Sequence, residues 1–212
     1  MLIDYGVVAN HLRKYNIPVR GVLHIGAHEC EERTFYNYVL HTSDDKILWI
    51  DGNPQKVESM RRAGIPHIYE AVLDESERDI EFNITTNTQA SSILELNHPK
   101  GYYTDIHIVE KLRTRTQTLT SFFEKIGKNS GDYNFWNLDI QGSELHVLRG
   151  SQELLKKCDA IYTEVNADEV YKGCGLINDL DNLLKTYGFE RIETKWTDTQ
   201  WGDALYIRTM VV

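Results

Sequence analysis

Short apolar runs alternate along this chain with stretches of helical periodicity, and this alternation constrains the fold more than any other feature. The expected parallel strands, in chain order, are Gly21–Ile25, Lys46–Ile50, His67–Ala71, Asn134–Ile140 and Ala160–Val165. The expected helices are Glu29–Leu40, Gln55–Ala63, Thr120–Lys125, Ser143–Lys157 with a break near Gly150, and Leu176–Tyr187. A polar segment, Asp74–His98, is expected to carry a hairpin. Because buried strands alternate with helices, the sequence predicts an α/β fold with a parallel sheet.

The two ends of the chain complete this architecture. Apolar residues at three- and four-residue intervals predict an N-terminal helix within residues 1–18, packed on the sheet. Near the other end, Phe189–Trp196 and Ala204–Arg208 are joined by a short polar loop, so we expect them to pair antiparallel. The prediction is a Rossmann-like, seven-stranded, mostly parallel sheet with an antiparallel last strand and helices on both faces, in one domain spanning residues 1–212.

The charge and the cysteine content limit the classes of binding partner and the cellular compartment that we expect. Lys and Arg number 23, Asp and Glu number 32, and the net charge is −9 without a dense basic run. Binding to a phosphate backbone needs clustered Lys and Arg, so nucleic acid is not an expected partner. The three cysteines have no zinc-type spacing, which is typical of a reducing compartment. No apolar run reaches roughly 18 residues and no signal peptide is recognisable, so we expect a cytoplasmic protein without a membrane span.

Gly26 and Asp51 follow the first two strands, at the edge where parallel sheets bind ligands. Gly26 lets the backbone approach a ligand, but residues 26–30 lack the further glycines of a dinucleotide fingerprint. A carboxylate in the position of Asp51 accepts the hydroxyl groups of an adenosine ribose. The alternative role for Asp51 is to cap the helix that opens at Pro54. Together the two residues favour an adenosine cofactor without pyrophosphate, such as S-adenosylmethionine, over a nicotinamide cofactor.

Two later strands also end in carboxylates. Asp139 ends one buried strand and precedes a glycine turn and a helix, while Glu164 and Asn166 end the neighbouring strand. Side by side at the rim, Asp139 and Glu164 would shift each other's pKa or bind a divalent cation. Their spacing is not specific for a metal, so Mg²⁺ is an alternative that is not favoured.

Aromatic side chains near the expected rim offer a different kind of ligand contact. Tyr102, Tyr103, Trp196 and Trp201 are of the type that stacks on a sugar or a base. Packing in the core or at the rim is the favoured role for each of them.

The strand ends described above belong to four longer motifs. In chain order these are His24-Ile25-Gly26-Ala27-His28 with Glu31-Glu32, Asp51-Gly52-Asn53-Pro54, Ala71-Val72-Leu73, and Leu138-Asp139-Ile140-Gln141-Gly142-Ser143-Glu144-Leu145 continuing to Val147-Leu148-Arg149-Gly150. The four motifs resemble those of the FkbM-type methyltransferases, a branch of the Rossmann-like S-adenosylmethionine enzymes. The last motif is the strongest match, because the family has Ile-Asp-Val-Glu-Gly-x-Glu followed by Val-Leu-x-Gly there. The resemblance covers nearly the whole chain and implies a class I methyltransferase fold.

The resemblance also implies roles for individual residues. The cofactor-binding positions it implies are Gly26, Ala27, His28, Glu32, Asp51, Asn53, Val72, Leu73, Ser92 and Asp139. Among these, residues 26–28 would line the methionine end, Asp51 would hold the ribose, and residues 72–73 would flank the adenine. Asp139 and Glu164 are the implied catalytic residues, and Asn166 and Asp203 are placed near the substrate.

Four positions depart from the family pattern. His24 replaces the usual acid, His28 the usual Asn, Cys30 a usual Gly and Gln141 the usual Glu. These departures imply that the amino-acid end of the cofactor is gripped differently in this chain.

The expected function is S-adenosylmethionine-dependent O-methyl transfer to a hydroxyl group. The resemblance implies a sugar acceptor, in a glycan or a glycosylated metabolite, and Asp139 is expected to act as general base. One alternative is a binding or scaffold module without catalysis, which the four departures suggest. Another is a methyltransferase that acts on an acceptor other than a sugar.

Overall fold

The computed structural model describes residues 1–97, 101 and 103–209. The helices are α1 (Tyr5–Lys14), α2 (Pro54–Arg62), α3 (Leu119–Ile126), α4 (Glu144–Arg149), α5 (Gln152–Leu155) and α6 (Ile177–Lys185). The strands are β1 (Val22–Ile25), β2 (Ile47–Asp51), β3 (Ile68–Glu70), β4 (Asp79–Thr85), β5 (Ile108–Arg115), β6 (Phe135–Leu138), β7 (Ala160–Asn166), β8 (Phe189–Trp196) and β9 (Trp201–Arg208). Shorter turns include a π-helical turn at Phe35–Val39 and a 3₁₀ turn at Thr88–Ala90.

The main sheet confirms the predicted fold class. Its seven strands run in the order β3-β2-β1-β6-β7-β9-β8. The pairs formed by β1, β2, β3, β6 and β7 are parallel, and β9 runs antiparallel to both β7 and β8. The chain leaves β1 toward β2 on one side and later returns to β6 on the other, so the strand order reverses between β1 and β6. In sheets of this type, ligands bind at the carboxyl ends of the strands beside that reversal.

Alternating side chains of the central strands feed two hydrophobic cores, one on each face of the sheet. Leu23, Ile25 and Leu138 belong to the core that also contains α3, α4 and α6. Val22 and Phe135 belong to the core that contains α1 and the π-helical turn. Because both faces are covered, the strands read as continuously apolar, which is why the sequence pattern identified them.

The helix predicted at Glu29–Leu40 is present only in its second half. Only residues 33–39 are helical, and Phe35–Val39 form a π-helical turn. Before them, Gly26, His28 and Cys30 have φ values of +91°, +42° and +56°. A left-handed backbone at alternate positions is incompatible with an α-helix, so the chain turns tightly at the end of β1 before it becomes helical.

The predicted hairpin exists, but its second strand lies beyond the predicted segment. β4 pairs antiparallel with β5, and together they form a separate two-stranded sheet. Most side chains of β5 are exposed, so this strand has no apolar pattern by which it could be recognised. The hairpin places Phe82 and the following 3₁₀ turn over the carboxyl ends of the main sheet.

The N-terminal helix packs on the sheet as predicted, and the residues before it are fixed by hydrogen bonds. Asp4 caps α1 by accepting from the backbone N–H of Gly6 at 2.7 Å. The backbone N–H groups of Leu2 and Ile3 both donate to the hydroxyl of Tyr162 in β7, at 3.0 and 3.1 Å. The segment before α1 therefore lies at the carboxyl edge of the sheet.

Candidate functional site

A cavity of about 470 Å³ opens at the carboxyl ends of β1, β2, β6 and β7. It is lined by Gly26, His28, Glu32, Asp51, Asn53, Val72, Leu73, Asp139, Glu164 and Asp203, all of them predicted site residues, together with residues of the N-terminal segment and of the β4–β5 hairpin. The volume lies within the range typical of small-molecule sites. The described residues that line it include no Lys or Arg.

Gly26 connects the two halves of this cavity. Its φ of +91° favours glycine, and a Cβ at this position would lie 1.7 Å from the carbonyl oxygen of Asp139. The backbone N–H of Gly26 donates to the carbonyl of Ile50 at 2.8 Å. Gly26 is therefore required for close approach between the ends of β1 and β6, in addition to lining the cavity.

Asp51 is held by the backbone on both of its oxygens. Oδ2 accepts from the N–H of His28 and Oδ1 accepts from the N–H of Asn53, each at 2.7 Å. Burial raises the pKa of Asp51, and the two N–H donors partly oppose this shift. Asn53, rather than Asp51, caps α2, because its side chain accepts from the N–H groups of Gln55 and Lys56. The alternative role considered for Asp51, that of a helix cap, is thus filled by its neighbour.

The apolar part of the cavity lies between the main sheet and the hairpin. Val72 and Leu73 follow β3, and Phe82 of β4 faces Val72 in one hydrophobic cluster. A Cβ on Gly52 would lie 3.0 Å from the Phe82 ring. This apolar surface is suited to contact with a flat aromatic ligand group. Sequence reasoning missed Phe82, since its contact depends on where the hairpin folds back.

The side-chain amide of Gln141 lies between the carboxyl groups of Asp139 and Glu164. The Nε2 of Gln141 donates to Asp139 Oδ1 at 2.6 Å and to Glu164 Oε2 at 2.8 Å. Although Asp139 is exposed to the cavity, desolvation by the surrounding protein and then the charge of Asp203 raise its pKa to about 6. Burial, followed by the charges of Asp139 and Glu144, raises the pKa of Glu164 well above its usual value. Of the facing pair, Asp139 is therefore the stronger candidate for an ionised base.

Asp203 anchors the N-terminal segment to the sheet. Its Oδ2 accepts a short hydrogen bond from the Tyr162 hydroxyl and another, at 2.5 Å, from the N–H of Leu2. In β9 it lies opposite Glu164 of β7. Burial raises the pKa of Asp203. Asp203 thus lines the cavity, as predicted for a substrate contact, and at the same time holds Leu2 in the cavity wall.

His24 and Glu32 both line the cavity, but their environments differ. His24 is buried between the rings of Tyr36 and Trp49, and its Nδ1 accepts from the Tyr36 hydroxyl at 2.9 Å. Burial lowers the pKa of His24, which keeps its ring neutral. Glu32 faces the cavity, where its Oε1 lies 3.4 Å from the α-ammonium of Met1.

Three predicted site residues are not part of the cavity wall. Ala27 is 1% exposed and belongs to the core beneath the sheet, and Asn166 is 1% exposed at the end of β7. The hydroxyl of Ser92 donates to the carbonyl of Gln141 at 2.8 Å and accepts from the N–H of Leu94. Ser92 therefore fastens the hairpin segment to the turn after β6, while the adjacent Ser91 lines the cavity.

Ser143 has a feature that sequence reasoning did not single out. This residue lines the cavity and is 2% exposed, and its hydroxyl has no hydrogen-bond partner among the described residues. A buried hydroxyl without a partner is costly in the free protein. Rotation about its single side-chain torsion would bring the oxygen to a ligand in the cavity without backbone movement. The free hydroxyl is the feature expected of a ligand contact.

The aromatic candidates separate into different roles. Trp201 lines the cavity beside Tyr171, whereas Trp196 is 41% exposed on β8. Tyr103 also lines the cavity. Tyr102 and His98 lie outside the described residues.

One group of potential metal ligands occurs among the described residues, at the mouth of the cavity. His28, Glu29 and Glu31 each offer a ligand atom within 4.8 Å of the others. These atoms already have partners, because His28 Nδ1 pairs with Glu31 at 2.8 Å, His28 Nε2 with Thr88 at 2.9 Å, and Glu29 with Lys56. The arrangement is typical of an ion-paired rim.

Comparison with known proteins decides the family. The model of the methyltransferase FkbM domain matches residues 24–191, which is well over half of the chain. The chain belongs to this family. No protein among those with a curated function matches this family member in sequence.

Solved structures support the fold. Methyltransferase FkbM from Methylobacillus flagellatus KT has a TM-score of 0.54 and 14% identity, covering 88% of this chain and 43% of that chain. A protein of the NADB-Rossmann superfamily from Streptococcus agalactiae has a TM-score of 0.52 and 10% identity, covering 98% and 68%. This FkbM-family chain thus spans less than half the length of the first of these proteins. At such identities the likeness concerns the fold alone.

The membrane prediction can also be compared with the structure. In the part of the chain that the structure describes, the helices are too short or too polar to cross a bilayer.

Proposed function

We propose that this chain transfers the methyl group of S-adenosylmethionine to a hydroxyl group of a sugar, in a glycan or a glycosylated metabolite. One observation carries the proposal: in a chain of the FkbM family, a single cavity brings together Gly26, Asp51 and Asp139. The cofactor and the acceptor are the parts of the proposal that experiment has to decide.

The residues present fit the proposed cofactor. Asp51 keeps lone pairs on both oxygens for ribose hydroxyl groups, since each carboxylate oxygen accepts more than one hydrogen bond. The apolar surface formed by Val72 and Phe82 suits one face of an adenine ring. The free hydroxyl of Ser143 is a further contact for a polar ligand atom. Carboxylates of the wall, among them Asp139, favour a cationic sulfonium group over an anionic ligand.

In the proposed mechanism, Asp139 acts as general base. S-adenosylmethionine would supply an electrophilic methyl group, whose bond to sulfur breaks as the bond to the acceptor oxygen forms. Asp139 accepts the proton of the acceptor hydroxyl, which makes that oxygen nucleophilic; with a pKa of about 6, its carboxylate is ionised at neutral pH. Burial, followed by the charges of Asp139 and Glu144, raises the pKa of Glu164 well above its usual value, which favours Asp139 over Glu164 as the base.

The wall beside Asp139 supports a sugar as the acceptor. Tyr171 and Trp201 offer flat apolar surfaces, and Glu164 and Asp203 offer hydrogen-bonding oxygens. Such a combination suits a polyhydroxyl ring with an apolar face. Phosphorylated acceptors are disfavoured, because the described lining has no Lys or Arg to neutralise a phosphate. Asn166 is not part of this proposal, since it does not line the cavity.

The cysteines are consistent with the cytoplasmic location that we propose for this activity. Cys30, Cys158 and Cys174 are all buried and unpaired. Unpaired cysteines are typical of a reducing compartment.

The test is methyl transfer from isotopically labelled S-adenosylmethionine to a panel of monosaccharides, oligosaccharides and glycosylated metabolites, read by mass spectrometry. We expect a labelled methyl ether on a sugar hydroxyl, and about 10²- to 10⁴-fold slower formation of product with Asp139→Asn. Transfer to a non-sugar acceptor alone would replace the sugar in the proposal. Absence of transfer together with no calorimetric binding of S-adenosylhomocysteine would identify a scaffold module instead.

A further inference from the structure

Gln141 lies between the two carboxylates that a divalent cation would bridge. Its Nε2 is 2.6 Å from Asp139 Oδ1 and 2.8 Å from Glu164 Oε2. An amide NH₂ group has two hydrogens, so one is donated to each carboxylate and the nitrogen has none left. The two acids are thereby joined by hydrogen bonds alone.

The rest of Gln141 is fixed in a way that keeps its amide in place. The Tyr171 hydroxyl donates to Gln141 Oε1 at 2.6 Å, which sets the orientation of the amide, and Ser92 donates to the Gln141 carbonyl at 2.8 Å. The backbone of Gln141 has a φ of +57°, a left-handed conformation that non-glycine residues seldom adopt. Contacts at the backbone and at the far end of the side chain therefore fix it.

The turn that carries Gln141 is closely packed. A Cβ on Gly142, whose φ is +98°, would lie 3.0 Å from the Cβ atoms of Tyr171 and Cys174. Oε1 of Glu144 accepts from the N–H groups of Ile140 and Gly142, at 2.8 and 3.3 Å. The turn cannot shift without breaking these contacts, so displacing the amide would require changes in several elements.

We propose that the Gln141 amide takes the place of a divalent cation between Asp139 and Glu164, and that Gln141 is the positioning residue that orients Asp139. The claim that methyl transfer needs no divalent metal rests on the proposed function. The claim that Gln141 occupies the place of a cation does not. A cation that bridged Asp139 Oδ1 and Glu164 Oε2 would occupy the space that Gln141 Nε2 fills, because Mg²⁺ and Ca²⁺ bind carboxylate oxygens at about 2.0–2.6 Å.

The identity of residue 141 then decides which chemistry the turn supports. Glutamine donates to both acids, whereas a glutamate of the same shape has no hydrogen to donate when ionised. Gln141→Glu would place three carboxylates together, and such a cluster is stabilised by a divalent cation. Gln141 stands where the motif that this turn resembles has a glutamate. The substitution thus changes the function of the turn rather than removing it.

The test uses the full chain and Mn²⁺ as the probe, with binding measured by electron paramagnetic resonance. We expect the wild type to show only weak binding that Asp139→Asn leaves unchanged. Gln141→Glu should gain one site that binds Mn²⁺ at least about tenfold more tightly, and Asp139→Asn should remove that site in the double variant. Gln55→Glu, which adds the same charge on the exposed side of α2, is the matched control and should gain nothing.

A wild-type Mn²⁺ site that is lost in Asp139→Asn would overturn the inference, and so would a folded Gln141→Glu variant without a gained site. If Gln141→Glu fails to fold, the comparison of wild type with Asp139→Asn still decides whether a cation binds there.

The positioning role of Gln141 is tested with Gln141→Met, which has similar volume but no hydrogen-bond donors. In the labelled transfer assay, kcat should fall at least about tenfold while KM for S-adenosylmethionine stays within a few-fold, and chelator should not slow the wild type.

An unchanged kcat in Gln141→Met would overturn the positioning role. A wild-type reaction that is slowed by chelator would overturn the claim that the reaction needs no metal. If the wild type transfers no methyl group to any acceptor, the proposed function fails, but the Mn²⁺ experiment still decides whether Gln141 holds the place of a cation.

Discussion

The two sides of the cavity are built in different ways. On the side of β1, β2 and β3, the carboxylate of Asp51 is held by the backbone, since both of its oxygens accept hydrogen bonds from backbone N–H groups. On the side of β6, β7 and β9, the carboxyl groups are held mainly by side chains. The Gln141 amide donates to Asp139 and Glu164, and Asp203 accepts from the Tyr162 hydroxyl as well as from the N–H of Leu2. We call these the cofactor side and the acceptor side.

This difference predicts which substitutions affect cofactor binding and which affect the chemical step. The donors that hold Asp51 are backbone groups and do not titrate, although burial raises the pKa of the Asp51 carboxyl itself. On the acceptor side, desolvation and then the charge of Asp203 raise the pKa of Asp139 to about 6, near the range that suits a general base at neutral pH. Changes on the cofactor side should therefore affect affinity, and changes on the acceptor side should affect turnover.

The largest effect is expected from Asp139→Asn. The variant keeps the shape of the side chain but loses the base, so turnover should fall by about 10²- to 10⁴-fold, while the affinity for S-adenosylhomocysteine stays within a few-fold. Initial rates and calorimetry measure the two quantities. Asp79→Asn, on an exposed aspartate of the hairpin, is the control and should change neither. Full turnover in Asp139→Asn would remove the distinction between the two sides.

Asp51→Asn should have the opposite signature. Loss of charge-assisted hydrogen bonds to the ribose should weaken binding of S-adenosylhomocysteine by about 10- to 100-fold, with kcat at saturating cofactor within a few-fold. The variant also places an amide against the N–H groups of His28 and Asn53, so its thermal unfolding is measured in parallel. Unchanged affinity in a folded variant would show that the ribose is held elsewhere.

The pH dependence separates activity from stability. Below pH ~6, turnover should fall by about tenfold per pH unit, because Asp139 must be ionised to accept a proton. The folded protein binds this proton more tightly than the unfolded chain, where the pKa is about 3.9. The contribution of Asp139 to stability is therefore complete below about pH 3.9 and is lost as the pH rises through about 6. A rate profile without an inflection near pH 6, or one that Asp139→Asn leaves unchanged, would contradict this assignment.

The smallest effect is expected from Ser143→Ala. Its hydroxyl has no partner in the free protein, so removing it should leave the unfolding free energy unchanged or slightly higher, while S-adenosylhomocysteine binds about 3- to 10-fold more weakly. Ser151→Ala is the matched control, because that buried hydroxyl donates to the carbonyl of Val147 at 2.6 Å. Its loss should cost about 1 kcal/mol of stability without changing the affinity. If both variants lose stability and neither loses affinity, Ser143 makes no ligand contact.

The sequence predicted that residues after the parallel strands lie together, but it did not predict the contacts of the N-terminal segment, for a physical reason. Gly26 and Asp51 directly follow buried strands, and the carboxyl ends of parallel strands meet at one edge, so their proximity follows from local pattern alone. The contact of Leu2 with Asp203 spans 201 positions and depends on how β9 inserts beside β7. No local signal encodes such a contact.

Two residues show why neighbours in a motif can have different roles. Ala27 follows Gly26, but the left-handed turn directs its side chain into the core. Ser92 follows Ser91, yet it binds the carbonyl of Gln141 while Ser91 lines the cavity. A sequence motif indicates which segment reaches the site. The backbone angles of that segment decide which side chain faces the ligand.

The most direct test of the account is a crystal structure of the full chain grown with S-adenosylhomocysteine. We expect its ribose hydroxyl groups at hydrogen-bond distance from the Asp51 carboxylate, its adenine in contact with Val72 and Phe82, and its sulfur on the side that faces Asp139. A ligand bound outside this cavity, or bound in it with the adenine beside Asp139, would contradict the assignment of the two sides.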